Sequence, residues 1–271
     1  MTEDALRTHA AGSLASLDGE ILPAAAATIP VTDEGLIRGD GVFEVVRIYD
    51  GRPFKLEEHL ERLERSAANI RLPLDVEAVR SDAYRLLAQA GVGPDHGQLR
   101  IILTRGGRRL LMTEPLHRTP EHVRLATITY SPTRILDGIK SLSYAANMLA
   151  TRLAVERGFD DALLVTPHGR VLEAPTSSFF WVRDGELLTP PLDDHILASI
   201  TRRLVLEVGG GRERACTLED LDRAEEAFLA STTREVQPVI AIDERAYPAD
   251  GPVTARLAER VAERVRAELE A

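Results

Sequence analysis

The chain has 271 residues, 44% apolar and 28% charged, with one cysteine (Cys216) and a formal net charge of -10. That balance describes a globular protein with core enough for one large or two small domains. It excludes an intramolecular disulfide framework and argues against a broad nucleic-acid surface, since no dense basic run with interleaved aromatics occurs. The acidic start MTEDALRTHAAGS lacks an apolar signal core, and no apolar run approaches the ~18 residues of a spanning helix. The expectation is a cytoplasmic enzyme or binding protein, with no nucleic-acid or membrane partner.

Residues 1–17 read as helical or frayed, and Asp18-Gly19 with the alanine run after it as a short hairpin arm. Gly39-Asp40-Gly41, VFEVVRIY and Asp50-Gly51 make a turn, a strand and a second turn. KLEEHLERLERSAANI repeats its apolar residues at Leu56, Leu60, Leu63 and Ala67, a helical spacing, and a second helix fits Asp75–Ala90. GQLRIILTRGG and VRLATITY read as strands, and the aperiodic residues 106–121 between them as a functional loop. The turn-rich Ser131-Pro132-Thr133-Arg134 is the best boundary between two halves. The expected division is therefore 1–128, a connection over 129–138, and 139–271. Beyond the boundary a helix runs through MLATRLAVERGF. Strands follow at DALLVTP, VLEAPTSSFFWV and GELLTPP, then a helix from Ile196, a short helix at LEDLDRAEE, a strand–turn–strand at AFLASTTREVQPVIAID and a helix over Ala255–Leu269. Strands and helices intersperse without strict alternation, so the fold class is α+β, and the dense short strands make the second half barrel-like.

Among 33 lysines and arginines only Lys55 and Lys140 are lysines. A lysine amine can be deprotonated by burial and attack a carbonyl, which arginine cannot do. Lys140 lies among small apolar residues in IKSLSYAANMLA; Lys55, at the start of an amphipathic helix, reads as a surface cation. Chance retention of two lysines explains the count equally well on its own. No HExxH, Walker or GxSxG pattern occurs, His117 and His122 make no convincing metal pair, and no metal site is expected. Two hydroxyl-rich turns remain, Ser199-Ile200-Thr201 at a helix start and Ser231-Thr232-Thr233. Each alone is an ordinary cap or strand-end turn. Together with Lys140, Glu173 and Arg62 they supply the parts of a pyridoxal phosphate pocket: an amine, a carboxylate for the pyridine nitrogen, and anion donors.

These segments resemble class IV aminotransferases, fold type IV of the pyridoxal-phosphate enzymes. RGDGVFEVVRIYDGRPFKLEEHLERL, LRIILTRG, IKSLSYAANMLA, VLEAPTSSFFWV, LASITR and STTREVQPV follow the family's order over about residues 17–247. The resemblance implies a two-domain architecture, an N-terminal α/β sandwich and a C-terminal barrel-like β domain carrying the Schiff-base lysine. It implies Lys140 as that lysine and proton shuttle, Glu173 at the pyridine nitrogen, and Arg62 at the phosphate with Ile200, Thr201 and Thr233. It places Leu197 against the ring and Tyr144 near the 3′ oxygen. Ser143, Ser178 and Ser199 depart from the common asparagine, asparagine and glycine. The better-known D-amino acid transaminases carry GDGVYE and an Arg-x-His pair after the TRG turn; this chain has Phe43 and GGRRLLMTE. Arg38 and Arg100 are therefore expected to form a two-arginine clamp on the substrate carboxylate beside Phe43, with a solvent-facing turn cation as the alternative for Arg38. The resemblance thus favours transamination between D-amino acids, with tolerance for (R)-amines, and 2-oxo acids. Branched-chain L-amino acid transamination comes second, aminodeoxychorismate lysis third, and a non-enzymatic binding protein is the alternative of another class. Family members are homodimers, and residues near 30–40 or 106–112 are the segments expected to reach the partner subunit.

Overall fold

The computed structural model describes residues 13–91, 97–116 and 119–270, so His117 lies outside the described residues. Their contacts separate two compact units, one of 13–116 with 139–143 and one of 119–138 with 144–270. This differs from the expected division in two places, and strand pairing gives the reason. Val123–Thr129 pairs in parallel with Asp161–Val165 and with the strand at Val239–Ile242, which assigns it to the second unit. The lysine segment bridges Val42 through Ser141, which assigns residues 139–143 to the first.

The first unit is a two-layer α/β structure. Its elements are β1 (Leu14–Leu17), β2 (Glu20–Pro23), α1 (Glu34–Arg38), β3 (Gly41–Tyr49), β4 (Arg52–Pro53), α2 (Leu56–Asn69), α3 (Val76–Ala90), β5 (Gln98–Thr104) and β6 (Arg109–Glu114). The sheet is antiparallel throughout, in the order β2-β1-β6-β5-β3-β4. Side chains alternate across a strand. Val42, Val46 and Ile48 of β3, with Leu99, Ile101 and Leu103 of β5, accordingly pack under Leu56, Leu60, Leu63 and Ala67 of α2 and Val79, Ala83 and Leu86 of α3. Two expectations fail here. Leu14–Leu17 is a strand rather than a helix, closed to β2 by the Asp18-Gly19 turn. Residues 109–114 are β6, paired along its length with β5, rather than a loop. Leu111 and Thr113 point inward and are buried, but the outward Leu110 and Met112 are also apolar, so the period-2 contrast is lost in the sequence.

The second unit contains β7 (Val123–Thr129), α4 (Ala145–Glu156), β8 (Asp161–Val165), β9 (Arg170–Val171), β10 (Ser178–Arg183), β11 (Glu186–Thr189), α5 (Ile200–Gly209), β12 (Arg212–Glu213), β13 (Cys216–Thr217), α6 (Leu218–Leu221), β14 (Glu226–Ser231), β15 (Glu235–Ile242), β16 (Arg245–Ala246) and α7 (Pro252–Glu270). Its mixed sheet runs β12-β11-β10-β14-β15-β7-β8-β9-β13, with β16 on β15. The two terminal strands of that path, β12 and β13, are joined by Arg214 and Ala215 alone. The sheet must therefore curl until its edges nearly meet, which makes the unit barrel-like. Phe179, Trp181, Leu163, Leu188, Leu229 and Val239 fill its interior. No helix among the described residues is long and apolar enough to cross a membrane.

Candidate active site

The lysine segment is held as an extended strip against the start of β3. Phe43 N donates to Lys140 O at 3.0 Å, Leu142 N to Gly41 O at 2.9 Å, and Lys140 N to Ser66 Oγ on α2 at 3.2 Å. The close approach requires glycine at position 41, where a Cβ would collide with Leu103 O and the Leu142 side chain. Ser143 Oγ adds a bond to Gly39 O at 3.1 Å. Pinned on both sides of its Cα, Lys140 places Nζ 4.5 Å from the centroid of the Phe43 ring. Its partner in composition, Lys55, is no free surface cation: in the left-handed region (φ 54°), it pairs with Glu58 at 2.8 Å, its side chain 13% exposed.

Arg62 is buried on α2, with its Nε–Nη2 edge committed to Glu44 of β3. Nε donates to Oε1 at 2.6 Å and Nη2 to Oε2 at 2.7 Å, and His59 Nδ1 lies 2.8 Å from Oε2. Burial alone would raise the Glu44 carboxyl, but the Arg62 charge and hydrogen bond, with help from His59, hold it down at about 2. Burial lowers the His59 pKa, and the nearby Arg62 and Lys140 charges act in the same direction. His59 is thus a neutral imidazole beside an ionised Glu44–Arg62 pair. Sequence reasoning missed Glu44 and His59. The available signal was charge on apolar stripes: Glu44 between Val42 and Val46, and His59 and Arg62 among the leucines of α2.

Arg38 and Arg100 engage different carboxylates. Arg38 is the last residue of α1, before the Gly39 cap, and pairs with Glu34 one turn earlier, its side chain 66% exposed. Arg100 donates from Nε and Nη2 to the two oxygens of Glu114, both at 2.8 Å. Arg100 is opposite Val45, and Phe43 opposite Ile102. By the pleat, Arg100 and Phe43 thus share the sheet face turned away from α2 and α3.

In the second unit Glu173 follows β9, and its Oε1 accepts the Leu197 N–H at 3.1 Å. That contact reflects a helix starting later than expected. Ser199, extended at φ -73° and ψ 135°, is the N-cap of α5 and accepts from Arg202 N, which leaves Ile196–Ser199 outside the helix. Arg203 N returns to Ser199 O, while the N–H groups of Ile200 and Thr201 precede any intrahelical acceptor and face outward with the positive end of the helix dipole. Ile200 and Thr201 side chains are buried. Thr233 lies in the turn between β14 and β15. Tyr144 OH donates to Pro175 O at 2.7 Å, and Asn147 Nδ2 donates to the same oxygen at 2.9 Å, tying the start of α4 to the turn after Glu173. Burial raises the Tyr130 pKa, and the charge of Glu173 adds to it. Asn147 and Tyr130 were not singled out from sequence. Ser177 and Ser178 carry buried hydroxyls without a hydrogen-bond partner.

The donor chemistry of each unit fits pyridoxal phosphate. The first offers a primary amine and a buried guanidinium; the second offers an oriented carboxylate, two helix-start N–H groups and threonine hydroxyls, beside orphaned serine hydroxyls in the turn that carries Glu173. The amino-transferase class IV family profile matches residues 41–242. The D-alanine aminotransferase of Listeria innocua is 33% identical over 259 residues, 85% of this chain and 89% of that one. A hypothetical aminotransferase of Mycobacterium tuberculosis, solved in a PLP-bound form, superposes with a TM-score of 0.86 at 29% identity, over 94% of this chain and 99% of that one. A branched-chain aminotransferase of Thermoproteus uzoniensis, solved with norvaline, gives a TM-score of 0.85 at 30% identity, over 93% and 94%. With the family profile matching residues 41–242 and so spanning both units, this chain belongs to the class IV aminotransferases, pyridoxal-phosphate enzymes that exchange an amino group between amino and keto acids.

Proposed function

We propose that the chain is a D-amino acid transaminase with tolerance for (R)-amines, working on a 2-oxo acid acceptor. The observation that carries this reading is the placement of Arg100. It shares a sheet face with Phe43, against whose ring Lys140 Nζ rests at 4.5 Å, and its guanidinium is oriented by both oxygens of Glu114. A guanidinium fixed in this way gives directional recognition of a substrate carboxylate. Arg38 would complete the proposed clamp only by leaving Glu34, its partner on α1. The sequence of the Listeria innocua D-alanine aminotransferase supports the same direction.

Pyridoxal phosphate, when bound, supplies a carbonyl for a primary amine and a ring that holds the electron pair of a broken Cα–H bond. Lys140 Nζ would hold the cofactor's carbonyl carbon and would move the proton taken from the donor's Cα. Glu173, oriented by Leu197 N–H, would hold the pyridine nitrogen protonated, and Leu197 and Tyr144 would line the ring. Arg62, the N–H groups of Ile200 and Thr201, and the hydroxyls of Thr201 and Thr233 bind the phosphate. Two half-reactions balance: one amino acid leaves as its keto acid, and a second keto acid leaves as an amino acid, with no net oxidant.

The working form is proposed as a cytoplasmic homodimer. Val31, Leu36 and Ile37, on and before α1, are 81%, 58% and 54% exposed, an apolar patch of the kind an interface covers. A panel of D- and L-amino donors against 2-oxoglutarate and pyruvate tests the substrate assignment. Conversion of the cofactor to its aminated form by D-alanine or D-glutamate is expected; conversion by L-leucine alone sinks the D-amino acid reading in favour of the branched-chain one.

A further inference from the structure

We propose that Arg234, clamped by Asp161, is a positioning residue that pre-forms the Ser231–Thr233 turn for the cofactor's phosphate. The inference rests on the reading of Thr233 as a phosphate ligand and extends it to two residues that touch no cofactor.

β14 and β15 pair as far as Ser231 and Glu235, which leaves Thr232, Thr233 and Arg234 as a three-residue loop. Such loops close through a residue in the left-handed region, where glycine is the natural occupant. Here the residue is Glu235, at φ 56°. A side chain there is disfavoured, and the conformation persists only where surrounding contacts over-determine it. Arg234 supplies those contacts. Its Nη2 donates to Asp161 Oδ2 at 2.6 Å, and its Nη1 to Gln237 Oε1 at 2.7 Å. Gln237 Nε2 in turn donates to Pro120 O at 2.6 Å. Asp161 is buried and fixed from its other oxygen by Thr151 Oγ1 at 2.8 Å and Ala162 N at 2.9 Å. The loop is closed from within by Arg234 N donating to Ser231 Oγ at 3.3 Å.

A guanidinium on a phosphate-binding turn invites assignment as a phosphate ligand. The geometry points elsewhere, because both terminal nitrogens bind groups behind the turn and the charge is balanced by Asp161. The two roles make opposite predictions for Asp161→Asn. If Arg234 met the phosphate directly, removing the carboxylate would leave its charge uncompensated and tighten phosphate binding. If Arg234 positions the turn, the same change loosens the turn and weakens binding.

The test is titration of the full-length, cofactor-stripped chain with pyridoxal phosphate and with pyridoxal, which lacks the phosphate, followed by visible absorbance. A turn that is competent only part of the time lowers apparent affinity by that fraction, so Arg234→Ala and Asp161→Asn should each weaken pyridoxal phosphate about tenfold and pyridoxal by less than about twofold. Arg234→Lys, which reaches one partner but not both, should fall between. A general loss of structure would weaken both ligands alike, and that outcome overturns the positioning role. Thr233→Val in parallel separates the two readings. If it leaves the pyridoxal phosphate to pyridoxal ratio unchanged, the turn is not the phosphate site and the underlying reading falls with the inference. If it lowers the ratio while Asp161→Asn leaves it unchanged or raises it, the inference alone is overturned.

Discussion

Arg62 in the first unit meets Glu44 edge-on through two nitrogens, whereas Arg234 in the second gives one nitrogen to Asp161 and the other to Gln237. The first pair is buried and the second half-buried, and both lie beside residues proposed above to bind the phosphate. The first fixes an arginine, and the second fixes a turn next to Thr233, which is proposed above as a phosphate ligand. A carboxylate can thus take one whole edge of a guanidinium or share its terminal nitrogens with an amide. The first pair also carries a neutral histidine, which the second lacks.

That contrast can be broken most forcefully at Glu44. Glu44→Ala leaves Arg62 charged, buried and without its carboxylate, a change that typically costs about 3–5 kcal/mol. Urea unfolding should show it, together with weaker retention of pyridoxal phosphate. Stability unchanged within error would mean that the buried pair does not hold the first unit together.

Acid sharpens the same comparison by a smaller effect. The unfolded chain binds a proton at His59 near 6.5 that the folded chain refuses, and one at Glu44 near 4.5 that the folded chain refuses until about 2. In both windows the unfolded state holds more protons, so stability falls with falling pH. The His59 contribution is lost first, as pH drops below 6.5, and the Glu44 contribution between 4.5 and about 2. His59→Asn should remove the upper part of the acid slope and leave the lower part. An unchanged slope between pH 7 and 5 would mean that His59 takes up its proton over the same pH range in the folded and unfolded chains.

Much of this arrangement was legible in the sequence because it is local. β3, α2 and α5 follow from periodicity and caps, and Lys140 from its rarity and its neighbours. The lysine segment itself was misassigned to the second half because its partner, Gly41–Phe43, lies about a hundred residues earlier and no periodicity reports a pairing at that distance. β6 was hidden by apolar residues on both of its faces. Arg234 and Asp161 are 73 residues apart with nothing in either neighbourhood to announce a pair. Glu44 and His59 could have been found: a charge on an apolar stripe must have a partner once the stripe is buried.

The two arginines expected to act as one clamp give the smallest and most discriminating contrast. Arg100 is oriented by Glu114 on the face shared with Phe43, and a charge-assisted bond of this kind is worth roughly tenfold in affinity. Arg100→Ala should therefore raise KM for carboxylate-bearing donors by about that factor and leave (R)-amines without a carboxylate nearly unaffected. Among the described residues, Arg38 makes its ion pair with Glu34 of its own exposed helix. Solvent screens such a pair, so Arg38→Ala should change KM by less than about twofold if the side chain keeps this partner during turnover. Equal losses from the two substitutions, with no further loss when they are combined, would instead mean that Arg38 leaves Glu34 to join Arg100 on one carboxylate. The double substitution decides between them, because independent residues add and members of one clamp do not.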